Sequence, residues 1–440
     1  MNWMNRLFRE LVGPAAVIAA GTMGAGAVAS LILAGAWFHY DLLWVVLFML
    51  PLFIVAVDSS GRIGSVNRGE GMLSIVRRRI HPSVAWILLL INVPIHFLVA
   101  MGQFSVMTSA LLSLFGMEPP GLGAPQAQID QYFLIEVIAS LALAGLILWL
   151  VLSHGYDRMQ KAMTVLMVAM FVCFLLIALR SFGEAGDILA GFIPQIPPDL
   201  PAPGRDTMRL STSSIIAIVG SAIAPGALLT IPYLSSDAST GTLTLKQDLR
   251  KYIINLGIIF GGYSIFLLIA GGYALYPLPN HADIETVHEA GQVLTKAFPQ
   301  SISFVGPVIF TLGLFIAAMT TLVICVQVII YLSLDMFNKP WTFSTDNRAF
   351  RRLMVLVTLA AGALAPVWSF PAMLKVVLLM GLNVLVIPLV LITMLYLLNR
   401  RAVMGQYTAS PARNALLVLC LIVSLVLAVD SFPDYLAMLS

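Results

Sequence analysis

The sequence predicts an all-α polytopic membrane protein, and three observations predict it. Sixty per cent of the residues are apolar and only 10% are charged, with a mean hydropathy of +0.95, far outside the range of soluble domains. Apolar stretches long enough to cross a bilayer recur along the whole chain. Two of them are broken at mid-span, by Gly21-Thr22-Met23-Gly24-Ala25-Gly26-Ala27 and by Gly220-Ser221-Ala222-Ile223-Ala224-Pro225-Gly226. Such breaks free backbone carbonyls and amides where no water can reach them, which is tolerable only beside a cavity or inside protein. Two interrupted helices in matching positions of two halves point to the substrate site of a secondary transporter.

Taken in order, the apolar runs place eleven helices over about 11–37, 42–58, 84–115, 131–153, 161–182, 211–233, 252–276, 302–334, 353–370, 372–398 and 414–432. The first run follows Arg6, Arg9 and Glu10 and outlasts a signal-peptide core, so it is expected to stay in the mature chain. Alternate loops divide the basic residues unevenly. One side collects Arg62, Arg68, Arg77, Arg78, Arg79, Arg158, Lys161, Lys246, Arg250, Arg348, Arg400 and Arg413, while the other has only Arg180, Arg205, Arg209 and Lys296. The positive-inside rule then puts the N-terminus in the cytoplasm and, after an odd number of helices, the C-terminus outside, in the cell (inner) membrane. The net charge of +3 is an orientation and headgroup signal. The bilayer is the partner, nucleic acid is not, and a monomer is expected.

The outer connections at 117–128 and 192–205 are rich in proline and glycine and read as loops. Residues 281–296 carry apolar side chains at helical spacing among Asp283, Glu285 and Glu289, as in a short amphipathic helix outside the membrane. The glycines of Ser59 to Ile80 suggest a phosphate loop only superficially, because the Lys-Ser/Thr ending is missing. Cys173, Cys325 and Cys420 are irregularly spaced within apolar runs and read as packing residues. No cofactor and no enzyme chemistry is indicated: paired carboxylates, a His/Glu metal spacing and a Ser/His/Asp set are all missing from the spans.

With these elements in place the chain resembles the Nramp family, proton-coupled transporters of divalent transition metals. The resemblance is carried by Gly13-Pro14, by Gly61-Arg62-Ile63-Gly64-Ser65 with Gly69-Glu70-Gly71, by Gln327-Val328-Ile329, and by Ile387-Pro388-Leu389 followed by Asn399-Arg400-Arg401. It implies a leucine-transporter-like fold. The single transporter domain would comprise two inverted five-helix repeats, at about 11–182 and 211–398, plus an eleventh helix at about 414–432.

The departures from that pattern fall on its chemistry. Where the family has Asp-Pro-Gly-Asn and Met-Pro-His, this chain has Gly24-Ala25-Gly26-Ala27 and Ala224-Pro225-Gly226, so every metal-binding side chain of those motifs is missing. The family's acidic pair in the third helix aligns with Ala100 and Gln103, and its second histidine in the sixth helix with Ile231. His96, one turn from Ala100, is either a packing histidine or a relocated proton carrier. Lys375 falls where the family has a path-facing glutamine. It either faces the transport path, where it would repel a divalent ion and hold an anionic group, or snorkels to the interface.

These readings give an alternating-access transporter with a substrate site at Thr22, Gly24, Ala25, Gly26, Ala27, Ser221, Ala224, Pro225, Gly226 and Lys375. His96, Gln103, Gln327 and Asn383 are candidate coupling or pathway residues, and no metal ligand is assigned. The favoured cargo is a small organic or anionic solute held by helix-terminal amides and Lys375. The alternatives are a divalent cation at a relocated or hydrated site, and a non-transporting receptor or scaffold.

Overall fold

The structure is a computed structural model that describes residues 23–121, 124–152, 156–201, 208–237, 245–342, 347–368 and 370–437. The helices, in chain order, are α1 (Ala25–Phe38), α2 (Leu43–Val66), α3 (Met72–Arg79), α4 (Pro82–Leu114), α5 (Gln126–Leu152), α6 (Tyr156–Arg180), α7 (Ser211–Ala222) and α8 (Pro225–Asp237). They continue with α9 (Leu245–Tyr252), which runs through a π-helical stretch, Ile253–Phe260, into α10 (Gly261–Ala274). Then come α11 (Val305–Met336), α12 (Arg348–Leu364), α13 (Ala372–Gly381), α14 (Asn383–Leu398) and α15 (Pro411–Ala437). Among the described residues, ten helical stretches are long and apolar enough to cross a membrane. The shorter α1 is the C-terminal part of the first expected span.

Burial separates the inner helices from the lipid-facing ones. In the stretch Ser211–Ser235, made of α7 and α8, 94% of the apolar window is buried inside the protein, against 22% for Pro411–Pro433 and 33% for Gln126–Leu152. The interrupted sixth span is thus the centre of the bundle, where neighbouring helices can take up its freed backbone groups. α1 lies beside it and crosses α10 so closely that a Cβ on Gly35 would sit 2.3 Å from the Leu268 carbonyl oxygen. Only a glycine allows that approach, as small-residue packing between membrane helices requires.

At the arginine-rich end, polar contacts tie the helices together. Asp58 of α2, buried in the structure, accepts from Arg62 Nε at 2.8 Å and lies 2.6 Å from Arg413 of α15. α3 forms the C-terminal part of the glycine-rich 59–80 stretch, whose first residues, to Val66, continue α2. Its first amides, Leu73 and Ser74, donate to the Asp335 carboxylate of α11 at 2.9 and 3.1 Å. A carboxylate at a helix N-terminus satisfies amides that have no partner within the helix. Tyr233 of α8 donates to the same carboxylate at 2.8 Å and stacks on Tyr331, with ring centroids 5.3 Å apart.

At the opposite end the proline-rich 192–205 loop contains a two-residue strand, β1 (Leu200–Pro201), paired antiparallel with β2 (Met208–Arg209). The expected outer helix is a succession of short turns, His281–Asp283, Val287–Gly291 and Gln292–Ala297. Its acidic residues are engaged in structure. Glu289 closes a capping box with Thr286, and Glu285 pairs with Arg209, whose guanidinium lies 5.0 Å over the Trp37 ring.

Candidate functional site

The second break begins where α7 ends. Ile223 leaves the helix with φ −96° and ψ 55°, and α8 starts at Pro225, which has no amide hydrogen to lose. A continuous helix would pair the Gly220 carbonyl with Ala224. Here Asn383, at the start of α14, donates its Nδ2 to that oxygen at 3.1 Å. Asn383 reaches the break from the tenth span, where α13 passes into α14 through Leu382 with helical φ −55° and ψ −26°. At the first break Gly24 is extended, with φ −70° and ψ 177°, and α1 begins at Ala25. Gly21 and Thr22 lie outside the described residues.

Between the two breaks lies a cavity of about 50 Å³. Gly24, Ala27, Ser221, Ala224 and Gly226 line it from the breaks; His96, Thr321, Cys325, Gln327, Met380 and Asn383 line it from α4, α11 and the tenth span. Of the expected residues, Ala25, Gly26 and Pro225 belong to the breaks but are not among those lining the cavity.

The donors around this cavity come from the surrounding helices, and glycines at the breaks make room for them. A Cβ built on Gly226 would lie 2.1 Å from His96 Nε2, one on Gly24 1.7 Å from Thr321 Oγ1, and one on Gly26 2.9 Å from Met380 Sδ. An imidazole and a hydroxyl from elsewhere in the chain therefore stand where side chains at Gly226 and Gly24 would be, and a thioether packs against Gly26. His96 is held by its Nδ1, 2.7 Å from the Asn92 carbonyl oxygen, which leaves Nε2 directed toward Gly226. Two further cavity-lining groups, Asn383 Oδ1 and Thr230 Oγ1, are buried without a hydrogen-bond partner. A buried acceptor left unpaired is costly unless something occupies the space in front of it. Among the described residues no carboxylate lines the cavity, and no three of His, Cys, Asp and Glu come together.

Lys375 and Gln103 are placed away from this group. Lys375 is only 2% exposed, so it does not snorkel to the interface, and it is not among the cavity-lining residues. Its Nζ donates to Ser105 Oγ at 3.0 Å and to the Ala365 carbonyl at 2.9 Å. Gln103 is fully buried with both amide atoms unpartnered, and it too lies off the cavity lining. Cys325, which its spacing in the sequence marks as a packing residue, lines the cavity together with Met380. Their signal was spacing: Cys325 stands four residues from Thr321, and Met380 three residues before Asn383, each pair on one helical face.

The model of the family described as natural resistance-associated macrophage protein-like matches residues 15–432. The chain belongs to the Nramp family. Among its relatives, the divalent metal cation transporter MntH of Bradyrhizobium diazoefficiens is 22% identical over 416 residues, covering 93% of this chain and 85% of the relative. The natural resistance-associated macrophage protein 2 homolog of Dictyostelium discoideum is 22% identical over 422 residues; the match covers 91% of this chain and spans only 59% of that relative's length. Among solved structures, the manganese transporter of Eremococcus coleocola, crystallised as a mutant, aligns with a TM-score of 0.71 at 17% identity, covering 95% of this chain and 85% of that one. MhsT, crystallised with L-phenylalanine, aligns with a TM-score of 0.56 at 13% identity over 94% and 97% of the two chains. This Nramp chain is therefore a multi-pass membrane transporter with the leucine-transporter-like fold, and not an enzyme.

Proposed function

We propose that the chain carries a metal cation by alternating access, bound in the cavity between the two breaks at a site moved from the hinges onto the surrounding helices. The observation that carries this reading is the cavity itself. Its volume of about 50 Å³ suits one ion with a little water, since a single water needs only about 10–15 Å³ on this measure. Nitrogen, sulfur and oxygen donors face it from three scaffold helices, and two of its lining acceptors or hydroxyls have no partner within the protein. The relatives whose names specify a substrate, manganese and divalent metal cation transporters, support the same class. The organic or anionic solute rested on Lys375 facing the path, and that support is gone.

In this reading α1, α7 and α8 rock against a scaffold containing α4 and α11, within repeats at about 11–182 and 211–398. The N-terminus faces the cytoplasm, consistent with the arginine-rich end on that side. Tyr233 and Asp335 then lie at the cytoplasmic exit. The test is flux into proteoliposomes, with manganese, cadmium, magnesium and monovalent metal ions in one panel and amino acids and organic acids in the other. Saturable entry of at least one metal ion, reduced by Asn383→Leu, is expected. Saturable entry of an organic solute with every metal ion excluded refutes the proposal.

A further inference from the structure

The cavity's donors are all neutral, and several are soft. His96 offers an imidazole nitrogen, Met380 a thioether, Cys325 a thiol, and Asn383 an amide oxygen with no other partner. A divalent ion such as manganese or magnesium is held by carboxylates and carbonyls because their charge and hard oxygens replace a tightly bound hydration shell. Among the described residues no carboxylate lines the cavity, so a doubly charged ion would give up water there without an opposite charge in return. Thioether and thiol donors favour soft ions, of which Cu(I) is the leading case, and such ions are satisfied by few ligands.

The space for these donors is built into the backbone. Gly26 lets the Met380 side chain approach the first break, with a Cβ there only 2.3 Å from Met380 Cγ, and Gly226 does the same for the His96 ring at the second. Asn383 Nδ2 lies 3.7 Å from Met380 Sδ and also holds the Gly220 carbonyl, which fixes the thioether beside the second break. The imidazole and the thioether thus stand next to the two segments whose movement opens the path.

We infer that the cavity is a site for a soft, singly charged metal ion, Cu(I) or Ag(I), ligated by His96 and Met380 with Asn383 as an oxygen donor. The inference rests on the metal-cation reading above and narrows it to one class of ion. Such an ion needs no anionic ligand to enter, which accounts for the lack of a carboxylate around the cavity.

The test is uptake of Ag(I), used as a redox-inert probe, into proteoliposomes, in parallel with Mn(II) and Cd(II). Ag(I) is expected to enter at least about tenfold faster than Mn(II), and Met380→Leu, which keeps the volume and removes the sulfur, is expected to lower Ag(I) entry about tenfold. Entry of Mn(II) or Cd(II) with Ag(I) excluded overturns the inference and leaves the metal-cation reading standing. Exclusion of all three overturns the inference, and exclusion of every other metal ion of the wider panel as well overturns both. A second measurement avoids any dependence on the variant's folding: Cu-edge X-ray absorption of Cu(I)-loaded selenomethionine protein. A copper–selenium vector is expected, and its absence overturns the assignment of Met380.

Discussion

Replacing Gly226 by alanine puts a methyl group where the His96 imidazole stands. The added Cβ would lie 2.1 Å from Nε2 and 2.6 Å from Cδ2. Carbon contacts are comfortable at about 3.5–4.0 Å, so the ring must withdraw by roughly 1 Å or more. It is not free to do so, because Nδ1 is held 2.7 Å from the Asn92 carbonyl oxygen. Overpacking of this kind costs about 1–3 kcal/mol, and loss of the imidazole bond adds about 1 kcal/mol. The expected destabilisation of Gly226→Ala is therefore about 2–4 kcal/mol. The assay is a double-mutant cycle with His96→Ala, read by steric-trapping or denaturant unfolding in detergent. Because the second substitution removes the obstacle, the pair should be less destabilised than the sum of the singles, with a coupling of about 2 kcal/mol. Strict additivity would refute the packing of His96 against the second break.

Three further perturbations separate the roles assigned to neighbouring residues. Asn383→Leu leaves the Gly220 carbonyl buried and unpaired, at about 1–3 kcal/mol by thermal or chemical unfolding, and abolishes saturable metal flux; unchanged flux contradicts the site. Asp335→Ala removes the acceptor of Leu73, Ser74 and Tyr233, so hydrogen exchange at the start of α3 should quicken by about tenfold or more; unchanged protection contradicts the link between α3, α8 and α11. Lys375→Met exchanges two hydrogen bonds for apolar packing away from the cavity, so the apparent affinity for the transported ion should stay within about twofold; a large change would restore Lys375 to the path.

The fold was legible because its main signals are local. Runs of apolar residues fix the spans, and glycine and proline at positions 24–26 and 220–226 mark both breaks without any knowledge of what packs on them. The site was only half legible. Losing the motif side chains at Gly24, Ala27, Ala224 and Gly226 suggested that metal had been abandoned. The proposed donors line the cavity from three different helices, at His96 and Met380 with Cys325 beside them, and nothing in their sequence separation brings them together. Lys375 misled for a geometric reason that the sequence did contain. It is five residues from Met380, about 140° around the helix at 3.6 residues per turn, so the two side chains leave on different faces. Met380 faces the breaks, and Lys375 turns to Ser105 and Ala365.

The central claim is that a metal ion binds between the breaks on donors supplied by the scaffold helices. The most direct measurement is an anomalous-difference map from crystals of the protein soaked separately with Ag(I) and with Mn(II). The account predicts a peak within coordination distance of His96 Nε2 and Met380 Sδ. A peak confined to another part of the molecule, or none in crystals that show the cavity ordered and open to the soak, would contradict it.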